Sequence, residues 1–189
     1  MKAALCLLPL VALAACDSNS TIEAKNASVA EVAEKVRDAG GTDQYLRPGK
    51  WLSKATLEEL SAPGMPAGMA DNMKLSMANK PGTETCMSEA DSKKPNADFF
   101  AGKSDNCRYD HFKMGDGKID ANMHCSAGGA TQRMTMAGDY GPNEYHMAMT
   151  TQMEMPKSVA AAGMGSMTMK MRVEGKRIGD CDGSEAAKS

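Results

Sequence analysis

Between Phe112 and Val173 apolar residues recur at every second position, with polar residues between them. A period of two marks a strand with one buried face. Asp116-Gly117 fits a two-residue type I′ turn, which pairs Met114 with Ile119 and Phe112 with Ala121. Gly128-Gly129 makes the next turn and pairs Met123 with Met134 and Ala121 with Met136. Pro142-Asn143 makes a third, opposing Met136 and Met149. A loop from Pro156 to Gly165 leads to a last strand, in which Met153 faces Met169 and Met149 faces Val173. These registers agree: one face collects Met114, Met123, Met134, Met136, Met147, Met149, Met153, Met155, Met167, Met169 and Met171. The other collects Lys118, Asp120, His124, Arg133, Gln152, Lys170 and Arg172. A slip of one residue would invert a strand, so the pattern predicts an antiparallel meander with one apolar face.

Upstream the period differs. Val29, Val32, Ala33 and Val36 lie on one helical face, after a Ser28/Glu31 capping box and before Gly40-Gly41. This predicts a short amphipathic helix within residues 26–41 that packs on the domain. Trp51 to Leu60 reads as a strand, Met73-Leu75-Met77 as a second and Thr83 to Met87 as a third. Ser88 to Gly102 is polar and holds one helical turn ending at Phe99-Phe100. The expected fold class is mainly β, a meander of about seven or eight strands (residues 45–181). It curls into a barrel-like sheet or folds over as a sandwich.

The first residues read as an address. Met1-Lys2 precedes an apolar run, Ala3 to Ala15, too short to span a bilayer as a helix with margin. Leu13-Ala14-Ala15-Cys16 resembles the bacterial lipobox. The expectation is a lipoprotein signal peptide (1–15), lipidation at Cys16, a polar tether (16–25) and a flexible tail (182–189). The membrane is then a partner, and the location is the periplasmic side of the envelope. Asp17 resembles an inner-membrane retention signal; the outer membrane is the alternative.

Composition sharpens this picture. Beyond residue 15 there are seventeen Met, against sixteen Leu, Ile, Val and Phe together. Few large aliphatic residues is half of a disorder signature, but the formal net charge is only −2, so the other half is missing. Methionine therefore fills the core positions or lines a groove. The balanced charge offers no footprint for nucleic acid.

Cys86, Cys107, Cys125 and Cys181 read as two disulfides in an oxidising compartment. Counting from the Asp116-Gly117 turn puts Cys107 on the polar face and Cys125 on the apolar one. The preferred pairing is therefore Cys86–Cys107 and Cys125–Cys181.

Pro48-Gly49-Lys50-Trp51, Pro63-Gly64-Met65-Pro66, Cys86, Cys107 and Cys125 in order, the MxM strands and Gly175-Lys176-Arg177-Ile178-Gly179-Asp180-Cys181 together resemble a proteobacterial periplasmic family. That family is called domain of unknown function three-six-one-seven. The resemblance covers roughly Asn26 to Cys181. It implies a secreted or lipid-anchored β domain and brings no activity or catalytic residues.

Candidate chemistry begins with the thioethers, which are soft ligands suited to Cu(I). Met147, Met149, Met167, Met169 and Met171 make the alternative copper set. The preferred reading gives the same residues to the core, since Met is an adaptable apolar filler. His111 faces Asn122, His124 faces Arg133 and His146 faces Asp139, so the three do not converge. The segment Met114 to Asp120 faintly resembles a calcium loop, but Phe112 and Met123 stand where carboxylates are needed. Glu58-Glu59 reads as solvated. There is no nucleophile elbow, HExxH motif or phosphate loop. The expectation is a non-catalytic binding or envelope-associated module without cofactor, whose partner is an apolar small ligand or an envelope protein.

Overall fold

The computed structural model describes residues 21–41, 45–93, 106–156, 160 and 165–183. The expected signal segment, Cys16 and the expected turn at Phe99-Phe100 lie outside them, as do most of the residues between Pro156 and Gly165 and those beyond Gly183. Eight strands form one antiparallel sheet: β1 (Ile22–Ser28), β2 (Gly49–Ser61), β3 (Thr83–Met87), β4 (Cys107–Gly115), β5 (Lys118–Ala127), β6 (Ala130–Gly141), β7 (Glu144–Glu154) and β8 (Ser166–Gly179). Their order is β1-β4-β5-β6-β7-β8-β2-β3. Edges β1 and β3 do not pair, so the sheet is open, neither a closed barrel nor a sandwich.

The meander follows the sequence pattern. Asp116 and Gly117 both take positive φ, as a type I′ turn requires, and Met114↔Ile119, Met123↔Met134 and Met136↔Met149 pair as expected. The β7–β8 register differs by two residues. Met149 opposes Met171 and Met153 opposes Met167, rather than Val173 and Met169. A shift of two keeps every side chain on its face.

Helix α1 (Val29–Asp38) begins at the expected capping box, with the Glu31 N–H donating to Ser28 Oγ at 3.2 Å and the Ser28 N–H to Glu31 Oε2 at 2.6 Å. Hydrogen bonding to Ser28 lowers the Glu31 carboxyl below its ordinary value. Val32 and Val36 have no exposed surface and pack with Tyr109, Phe112, Ile22 and Trp51 in the main core. Its strands are chiefly β1, β4 and β5, and α1 contacts β1 and β4.

Two upstream expectations are corrected. Residues 22–25 of the expected tether belong to β1, in which Ile22 and Ala24 face inward against Met114 and Phe112. Its alternation covers too few residues to stand out. Met73, Leu75 and Met77 lie in helix α2 (Met69–Ala78), not in a strand. Met69, Met73 and Met77 recur every four residues, and Ala, Met, Leu and Lys favour helix. The short helix α3 (Glu89–Lys93) follows β3.

The disulfides are also corrected. They join Cys107 to Cys125, with Cα atoms 4.1 Å apart, and Cys86 to Cys181, 5.6 Å apart. The cause is a bulge at Asp110: Tyr109 pairs with Met123 and His111 with Asn122, so Asp110 has no opposite residue. The extra residue inverts the alternation before it. Tyr109 and Cys107 therefore join Phe112 on the inner face, and Cys107 lies opposite Cys125. Cys86 pairs opposite Lys50 on one side of β2, while Gly179 pairs opposite Lys50 on the other. Cys181, two residues later, crosses the end of β2 to reach Cys86.

Tyr140 is 8 % exposed, and its hydroxyl has no hydrogen-bond partner among the described residues. Burial pushes Tyr109 and Tyr140 up to about 12. An unfolded tyrosine ionises near 10. Each therefore favours the folded state fully below pH 10, and that contribution is lost as pH rises from about 10 through 12. Urea midpoints are expected to fall across this window. Tyr140→Phe removes the unpaired hydroxyl and is expected to be neutral or to gain up to about 1 kcal/mol at neutral pH. A loss above about 1 kcal/mol in the same assay would refute that expectation.

Candidate functional site

Cross-strand pairing sorts the inner face into rows. One runs Phe112–Ala121–Met136–Met149–Met171–Leu57 across β4, β5, β6, β7, β8 and β2. The next runs Tyr109–Met123–Met134–Thr151–Met169–Leu60 over the same strands. Burial changes along each row. Phe112, Ala121, Tyr109 and Met123 are buried at one margin, and Leu57 (4 %) and Leu60 (8 %) at the other. Between them Met136, Met149, Met171, Met134 and Met169 are only half-buried. Met147, Met153 and Met167 on neighbouring rows are half-buried as well. Met114 and Met123 are the only buried methionines among the described residues.

The methionines thus divide. Tyr, Phe, Val, Ile and Trp side chains supply most of the packed core, and eight methionines form a half-open strip on β6, β7 and β8. Of these eight, Met134, Met136 and Met147 also pack against the core. Thr151, 8 % exposed, is the buried polar side chain within it. Two margin features escaped the sequence reading. Leu57 and Leu60 both face inward because Glu58 is bulged out of the pairing with β8. Their spacing of three, odd for a strand, was the available signal.

Beside the strip, Tyr145 is stacked on Trp51 at 5.7 Å and shares a 2.8 Å hydrogen bond with Ser53 Oγ. Its ring lies over Gly175, the residue opposite it on β8, so close that any Cβ there would overlap the ring. Glycine at 175 therefore sets the seat of Tyr145.

The outer face carries separate polar side-chain pairs. His111 reaches Asp120 at 3.1 Å, His124 Nδ1 reaches Asp110 at 2.9 Å and His146 Nδ1 reaches Asp139 at 3.0 Å. Each histidine has its own aspartate, and the three do not converge. No group of three His, Cys, Asp or Glu residues suited to a metal occurs among the described residues. Hydrogen bonding to Lys170, 2.6 Å away, lowers the Glu59 carboxyl, and Lys170 is raised in turn. Arg172 pairs with Glu58. Lys50 is raised by hydrogen bonds to Glu84 and Asp182 beside the Cys86–Cys181 bond. Shallow clefts lie away from the strip; one of about 400 Å³ is lined by Pro66, Met69 and Met73 against α2.

One family model, described as a protein of unknown function, matches residues 46–181. The chain belongs to the DUF3617 family. The DUF3617 match runs from Leu46 to Cys181, spanning β2 to β8, the methionine strip and both disulfides. Strand β1 and helix α1, which cover the β4 margin, precede it. No curated protein and no solved structure matches the chain.

Proposed function

We propose that this DUF3617 chain is a lipid-anchored, non-catalytic binding module on the periplasmic side of the cell envelope, which takes a small apolar ligand on its methionine strip. The observation that carries the reading is the partial exposure of eight methionines between two buried margins. A row of flexible, polarizable side chains adapts to an apolar shape better than a rigid aliphatic surface does. The anchor is supported by Leu13-Ala14-Ala15-Cys16. Separate polar pairs cover the outer face, and the strip offers a continuous partly exposed apolar row, distinct from the exposed Met69, Met73 and Leu75 of α2.

Native mass spectrometry of the full-length protein, extracted from membranes in mild detergent, tests the ligand. A co-purified apolar adduct is expected. An environment-sensitive naphthylamine dye should brighten with the wild type and lose that signal with Met149→Lys. A clean apo mass together with no dye enhancement would end the ligand reading. Metabolic labelling with an alkyne fatty acid tests the anchor; label that persists in Cys16→Ala would remove it.

A further inference from the structure

We infer that Met136, Met149 and Met171 form a binding site for a soft monovalent cation of the Cu(I) or Ag(I) type. The site rests on the openness of the strip, which the apolar-ligand reading also uses, but it needs sulfur where that reading needs only apolar area.

The three residues are direct cross-strand partners on adjacent strands: Met136 opposes Met149, and Met149 opposes Met171. Opposed side chains in an antiparallel sheet start about 4.5–5.5 Å apart at Cβ. A methionine has three rotatable bonds, so the outer two thioethers can lean towards the middle one without backbone movement. All three are half-buried, within reach of an incoming ion yet flanked in the row by apolar Ala121 and Leu57. The usual objection is that such methionines are needed as filler. Burial answers it: the packed core is made chiefly from other residues, and of the three only Met136 packs against its edge.

Chemistry narrows the ligand. Thioethers are neutral, soft donors that favour Cu(I), while carboxylate, carbonyl and water oxygens suit Mg, Ca and Mn. The row holds no carboxylate or imidazole, and all four cysteines among the described residues are in disulfides, so no thiol competes. A thioether also carries no proton to displace. Of the five methionines singled out from sequence, only Met149 and Met171 are direct partners. Met147 opposes Val173, Met167 opposes Met153 and Met169 opposes Thr151. Met136 on β6 completes the set, because the ladder runs across strands rather than along one MxM motif.

The test titrates Cu(I), kept reduced by ascorbate without oxygen, against a chromogenic Cu(I) chelator. Methyl spectra of methionine-labelled protein are recorded with Ag(I) in parallel. One equivalent bound tighter than micromolar is expected, with Met136, Met149 and Met171 methyls shifting first. Met136→Leu, Met149→Leu and Met171→Leu should each weaken binding by roughly tenfold or more, the scale of losing one contact that organises a metal. Met69→Leu and Met73→Leu on α2 should not. Leucine conserves volume, so the dye signal should persist in the three ladder variants. Loss of metal with retained dye supports the site and leaves the apolar reading standing. Binding no tighter than micromolar, wild-type affinity in all three single variants, or Ag(I) shifts confined to other methionines would overturn it.

Discussion

Replacing Cys86 and Cys181 together by serine is expected to cost about 4–5 kcal/mol of folding stability, near the full stability of many domains. The bond closes a loop with a sequence separation of 95, against 18 for Cys107–Cys125. In the chain-entropy account a longer closed loop removes more freedom from the unfolded chain, so the shorter bond is worth about 3 kcal/mol. Position makes the test clean. Cys86 and Cys181 are exposed, so serine buries no new polar group there. Cys107 is 3 % exposed and needs alanine instead. Denaturant unfolding with linear extrapolation gives both values. If the double serine variant cost less than the Cys107→Ala/Cys125→Ala pair, the loop argument would fail.

Phe112→Ala is expected to cost about 3–5 kcal/mol, whereas Met149→Ala, in the same row, should cost about 1 kcal/mol. Phe112 has no exposed surface and meets the Tyr109 ring edge-on at 5.3 Å. Removing it leaves a cavity between α1 and the sheet that surrounding side chains cannot fill. Met149 is already partly exposed, so truncation removes less transferred surface and opens no closed cavity. Urea unfolding of the two variants measures the contrast directly. Equal losses would mean that the strip is packed like the core, and would remove the basis for reading it as a binding surface.

Much of the sheet was legible in the sequence because tight turns fix register locally. Asp116-Gly117, Gly128-Gly129 and Pro142-Asn143 each set a hairpin, and the paired methionines then followed. Longer connections do not transmit register, and the β7–β8 pairing shifted by two across the loop after Pro156. Bulges were invisible to strict alternation. Asp110 alone was enough to misdirect the cysteine pairing, since one extra residue exchanges the faces of everything before it. Helix α2 was misread because its apolar residues fit both a period of two and a spacing of four over a short window. The strip itself was half legible. Its residues were evident, but whether they were packed depended on what covers them, and that is a property of the whole sheet.

The strand order has a consequence in time. Strands β4 to β8 are neighbours in sequence and in space, so each hairpin can form soon after its two halves exist. Strand β2 has no such neighbour in the meander. It pairs with β8, with Lys50 opposite Gly179 at the far end of the chain. Contacts between distant segments must first meet the entropy of closing the loop, so they form late. For a chain delivered N-terminus first, β2 waits unpaired on that side until the last strand arrives. That segment carries Trp51, Leu57 and Leu60. The interval between delivery of β2 and delivery of β8 is thus when the protein most needs protection from aggregation.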